Sequence, residues 1–143
     1  MRKIIVAIDG SEMSQKVLLR ARGIAEKFGG DVTALTVVKQ LKMINYYTGT
    51  DLNDVINKEF EASAQKTLEQ ARQLFEGFQG GFETMLTYGE PAEEILLVTE
   101  REKPDLLVMG SRGLSGFERA MLGSVSLKVL HHVTCDMMIV RNG

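Results

Sequence analysis

The sequence has one cysteine, no tryptophan, no block of like charge and no apolar run of membrane-spanning length. A single thiol, Cys135, cannot form an internal disulfide, and one thiol does not make a metal site. The first apolar stretch, residues 4–8, stops at Asp9 and is too short for a signal peptide. Nothing approaches the roughly 20 apolar residues of a transmembrane helix. Seventeen Lys and Arg against nineteen Asp and Glu leave a formal net charge of −2. That balance argues against non-specific nucleic-acid binding and against a polybasic membrane surface. These absences lead to the expectation of a cytoplasmic protein in a reducing setting, with neither nucleic acid nor membrane as partner.

What is present alternates in period. The 143 residues contain no linker and no internal repeat, and are read as one domain, 1–143. Residues 4–8 are a continuous β-rich run, as in a strand buried on both faces of a parallel sheet. Asp9-Gly10-Ser11 ends it with a turn cluster that also offers helix caps. Val17, Leu18, Ala21, Ile24, Ala25 and Phe28 then recur at helical spacing until Gly29-Gly30. A strand over 32–38, a polar link over 39–50 containing Tyr46 and Tyr47, and a long amphipathic helix over 51–77 follow. Strand 82–88, a helix from Pro91 to about Glu102, and strand 106–109 cut off at Gly110 come next. Helix 125–133 and strand 137–140 complete the chain. Because crossovers between parallel strands are right-handed, this order predicts a Rossmann-like, doubly wound α/β fold. It is a three-layer α/β/α sandwich with a five-stranded parallel sheet of order 3-2-1-4-5.

The chemistry concentrates in a glycine segment. Met109-Gly110-Ser111-Arg112-Gly113 follows a strand, and Gly123-Ser124 comes later at the start of a helix. Glycines at 110 and 113 let the backbone approach a ligand, because no Cβ stands in the way. Gly123-Ser124 at a helix start would offer N–H groups and a hydroxyl to an anion, aided by the helix dipole. Arg112 would add a charge-assisted contact to phosphate. On spacing alone, turn and cap roles for these glycines are an equal reading. Two observations tilt the balance. Gly123 inside a helix would cost about 1 kcal/mol, whereas a helix beginning there removes the conflict. In addition, Asp9 ends the first strand, and in the expected order the winding reverses between strands one and four. Asp9 and Gly110 would then flank one crevice. Asp9 would accept ribose or base-edge hydrogen bonds, and Ala7, Val37, Met109 and Val125 would supply apolar walls.

The pattern Gly-x2-Gly-x9-Gly-Ser at Gly110, Gly113, Gly123 and Ser124 resembles the ATP-binding branch of the universal stress protein family. The opening Ile-Ile-Val-Ala-Ile-Asp-Gly-Ser-Glu is similar to that family's start, and length and element order match throughout. The resemblance implies the adenine nucleotide alpha hydrolase-like version of the fold. It implies Asp9 and Val37 at the base and ribose end. It places Met109, Gly110, Gly113, Gly123, Ser124 and Val125 along the adenosine and phosphate path. Two positions depart from common family usage: Ala7, where some members carry Pro, and Cys135-Asp136-Met137, where a Pro often precedes the last strand.

The function expected is that of an ATP-binding (or AMP- or ADP-binding) regulatory, stress-response protein that is not an enzyme, hydrolysing ATP slowly at most. Nucleotide occupancy would alter loop 111–122. No GxxxxGK[ST] phosphate loop is present, and any Mg²⁺ would ride on the phosphates. No protein-held metal is expected, since His131 and His132 are adjacent on a helix and their side chains diverge. The last strand would be an apolar sheet edge, which predicts a homodimer through residues 137–141. The alternative is a nucleotide-free dimeric interaction module of the same family. A pyrophosphatase would carry Ser-Gly-Gly-x-Asp-Ser after its first strand, and a phosphoacceptor domain an Asp ending strand three. Asp9-Gly10-Ser11-Glu12 and Tyr88-Gly89 occupy those places.

Overall fold

The computed structural model describes residues 2–39, 52–112 and 122–141. In chain order these form β1 (Lys3–Ala7), α1 (Glu12–Phe28), β2 (Asp31–Val38), α2 (Leu52–Leu74), β3 (Phe82–Tyr88), α3 (Pro91–Glu102), β4 (Leu106–Gly110), α4 (Ser124–His132) and β5 (Asp136–Val140). The strands make one five-stranded sheet of order β3-β2-β1-β4-β5, with every neighbouring pair parallel. The expected order and architecture are those observed.

Alternation along the central strand sets the layers, because successive side chains leave a strand on opposite faces. Ile4, Val6 and Ile8 join a buried cluster with Val17 and Leu18 of α1 and Leu68 and Ala71 of α2. Ile5 and Ala7 point the other way, to Ile95 and Val98 of α3 and Val129 of α4. With both faces covered, polar alternation is unnecessary, which is why β1 and β4 read as unbroken apolar runs.

Helix ends depart from the periodic pattern for local reasons. α1 begins at Glu12, ahead of its first apolar position, since Ser11 takes the extended N-cap conformation. It ends at Gly29, whose φ of 78° is the left-handed C-cap geometry. α2 stops at Leu74, short of the expected 77, and its last carbonyls do not go unpaired. The Arg22 guanidinium donates to the Leu74 and Glu76 carbonyls at 2.8 and 2.9 Å. α3 is anchored by Glu90, whose carboxylate accepts the N–H groups of Ala92 and Glu93 at 3.3 and 2.9 Å. Burial alone would push the Glu90 carboxyl up. Those N–H groups and the Lys128 ammonium outweigh it and hold the carboxyl below its usual range. Asp105 fixes the opposite end of the sheet, accepting the Arg2 and Lys3 N–H groups at 2.8 and 2.9 Å.

Candidate functional site

Because β1 lies between β2 and β4, the crossovers leaving β1 and β4 diverge to opposite faces of the sheet. Between diverging crossovers a crevice opens beyond the carboxyl ends of the strands. Val6 stands opposite Val108, so the chain after β1 and the end of β4 emerge on the same rim. A cavity of about 840 Å³ opens there.

The turn after β1 is built for close approach. Gly10 has φ +85°, and a Cβ at that position would lie 2.7 Å from Thr67 Oγ1 of α2. The buried Ser14 hydroxyl accepts the N–H groups of Asp9 and Gly10 at 3.3 and 3.0 Å. Asp9 Oδ1 accepts the Ser11 N–H at 2.9 Å, which fixes the carboxylate at the crevice mouth. Both the left-handed backbone and the Thr67 contact penalise a side chain here. Gly10→Ala should therefore destabilise the fold by about 2 kcal/mol. Urea unfolding measures this, and a variant as stable as wild type would contradict the close packing of α2 on the turn.

The opposite rim is pinched at its base. Ser111 donates its N–H to the Val140 carbonyl at 2.9 Å and accepts the Gly123 N–H at 2.7 Å. The buried Ser126 hydroxyl donates to the Gly110 carbonyl at 2.7 Å. These bonds bring the first turn of α4 against the end of β4. Gly123 is the N-cap, with φ −65° and ψ 161°, a conformation open to any residue. Backbone geometry therefore does not demand glycine at position 123. Its N–H is already spent on Ser111, so the donors that α4 presents begin at Ser124, followed by Val125 and Ser126. Gly110 is closely faced as well: a Cβ there would sit 3.4 Å from Met13 Cβ and Cε.

The structure gathers the sequence-predicted residues onto this cavity. Ala7, Asp9, Val37, Met109 and Gly110 line it at the strand ends, and Arg112, Gly123, Ser124 and Val125 line the rim beyond β4. Gly113 lies outside the described residues, as do Tyr46 and Tyr47. Sequence reasoning missed Lys39, Pro91, Ser126 and an α2 contribution from Phe60, Ala64 and Thr67. The spacing carried no signal for the α2 residues, which continue the apolar stripe of a long helix. Asp9 is the one carboxylate among the described lining residues, which also include the cations Lys39 and Arg112. Among the described residues no group of three or more His, Cys, Asp or Glu could hold a metal ion, and no helix is long and apolar enough to cross a membrane.

Comparison with known proteins matches this arrangement to one family. The family model described as the universal stress protein family matches residues 1–141. Universal stress protein YxiE of Bacillus subtilis strain 168 is 37% identical over an alignment of 147 positions, covering 97% of this chain and 98% of that protein. Among solved structures, universal stress protein UspA from Lactobacillus plantarum is 25% identical with a TM-score of 0.84, covering 98% of this chain and 97% of the other. A universal stress protein in complex with cAMP is also 25% identical, with a TM-score of 0.66 over 98% of this chain and 96% of its own. The chain belongs to the universal stress protein family.

Proposed function

We propose that the crevice binds an adenine nucleotide, ATP, ADP or AMP, and that the protein acts by holding it in a stress response without rapid turnover. The observation that carries this reading is the junction at the end of β4. There the first turn of α4 offers the Ser124 and Val125 N–H groups beside Gly110 and Arg112, a combination suited to phosphate. Asp9 stands across the mouth at the end of β1, placed to accept sugar hydroxyls or a base N–H. Ala7, Val37 and Met109 present flat apolar surface to a base. A relative at 25% identity is solved with cAMP, which supports the same ligand class here.

The same inventory supports the reading of slow turnover. The described lining holds no histidine, and its one carboxylate, Asp9, is tied to the Ser11 N–H and the Ser14 hydroxyl. Such a carboxylate suits binding better than proton transfer to a water. Any Mg²⁺ would arrive on the nucleotide. The protein is proposed to work as a cytoplasmic homodimer joined through β5.

Titration calorimetry with ATP, ADP and AMP tests the reading. Saturable binding with one nucleotide per chain is expected. No heat with any of the three, and no nucleotide retained after gentle purification, would favour the nucleotide-free interaction module.

A further inference from the structure

Helix α1 carries a glycine that its own fold does not need. Gly23 sits inside the 17-residue helix, where glycine is the costliest residue short of proline. Its φ is not left-handed, and nothing stands within 4 Å of the place a Cβ would take. A side chain there would fit the single chain and steady the helix. What glycine does instead is leave a notch in the outward face. A shallow groove of about 410 Å³ includes that notch, with Leu19 and Phe28 among its walls. These two are 47% and 61% exposed, so apolar surface stands open before and after Gly23 along the helix. Lys16, Arg20 and Lys27 complete the rim, and no carboxylate lines it. Lys16 Nζ donates to the Arg141 carbonyl at 2.6 Å, which fixes one ammonium there. Among the described residues, Arg20 and Lys27 form no ion pair.

The opposite relief stands on α3. Leu97 is 55% exposed, and helical spacing of three and four residues puts Glu93, Glu94 and Glu100 around it. Glu93 shares its charge with Lys128 at 3.5 Å, whereas Glu100 forms no ion pair among the described residues. Arg101, the one cation at the same spacing, is turned toward Met85 Sδ at 3.6 Å. We propose that the α1 groove receives the α3 face of a second copy of this chain. Leu97 enters the notch at Gly23, and the carboxylates around it meet Lys16, Arg20 and Lys27. Glycine at the crossing lets the two helices approach closely, and the complementary charges fix which faces meet. α1 packs on one face of the sheet and α3 on the other, so no chain can join its own two surfaces. The contact between copies is head-to-tail. A single helix crossing is smaller than a standard interface, which makes the association weak and concentration-dependent. It uses neither the crevice at the strand ends nor the β5 edge.

Sedimentation of the purified protein over a concentration series tests this. At low salt the average mass should climb above its dilute-solution value as concentration rises toward about 1 mM. Adding about 0.5 M NaCl should reverse the climb, because exposed charges are screened. Gly23→Gln fills the notch with a better helix former, so it should raise Tm by a few degrees and weaken the association at least about tenfold. The raised Tm also shows that the variant is folded; a lowered one would mean that the fold itself requires the glycine and would overturn the premise. Arg20→Glu and Glu100→Arg should each weaken association at least about fivefold when alone. An equimolar mixture of the two should restore it, since each variant then offers the other an oppositely charged face. A wild-type mass that does not change with concentration overturns the proposal, and cosedimentation with phosphatidylserine vesicles in its place would assign the α1 face to a lipid surface. Association that survives Gly23→Gln, or a mixture no better than the separate variants, overturns it as well.

Discussion

Gly123→Val should lower the affinity for adenine nucleotides at least about 100-fold, close to 2.8 kcal/mol, and leave the protein folded. The backbone at this position is extended, with φ −65° and ψ 161°, so valine is accommodated without strain. Valine keeps the N–H that donates to the Ser111 carbonyl, so the pinch at the base of the loop survives. The cost to the fold is the poorer N-cap, about 1 kcal/mol, a shift of a few degrees in Tm for a chain of this size. The cost to binding is steric, because an isopropyl group would stand on the cavity wall beside the Ser124 and Val125 N–H groups. Calorimetry and a thermal melt on the same preparation separate the two effects. Unchanged affinity would mean that phosphate lies elsewhere.

The second large effect concerns assembly. β5 is the sheet edge, and Met137, Met138 and Ile139 are all only partly covered within one chain. The Val140 carbonyl accepts the Ser111 N–H, so the backbone groups of Val140 face β4. Backbone groups alternate along a strand, and those of Ile139 therefore face outward. A two-fold mate pairing with this edge would use them. Ile139→Pro removes an outward donor and no bond to β4, and proline is tolerated on an edge strand. Sedimentation should show a wild-type dimer and an Ile139→Pro monomer of similar secondary structure. A variant that stays a well-behaved dimer would place the interface elsewhere.

Legibility in the sequence followed burial. The strands at 4–8 and 106–109 could be read because a parallel sheet covered on both faces needs continuous apolar runs, whereas edge strand β3, FETMLTY, has no such run and was read from the glycines that precede it. The start of α4 was legible through energetics, since glycine at 123 is costly inside a helix and cheap as an N-cap. Helix ends were read less well. α2 stops at Leu74, where Phe75 and Glu76 tighten into i→i+3 bonds to the Arg72 and Gln73 carbonyls, and the Leu74 carbonyl is met by Arg22 from a different helix, a contact no local window contains. The same limit hid part of the site. Asp9-Gly10-Ser11 reads as a turn, but the demand for glycine at position 10 comes from Thr67, far along the chain. Phe60, Ala64 and Thr67 fit a helical apolar stripe whether they face core or cavity, so periodicity could not separate the two. Gly123 was expected to offer its own N–H to a ligand; the Ser111 carbonyl takes it, and the available donors start one residue later.

A crystal structure grown in excess AMP tests the central claim most directly. The phosphate should lie within hydrogen-bonding distance of the Ser124 and Val125 N–H groups, with the base between Ala7 and Val37 and the sugar facing Asp9. Water alone in the crevice at saturating AMP, or a phosphate bound away from the first turn of α4, would contradict it.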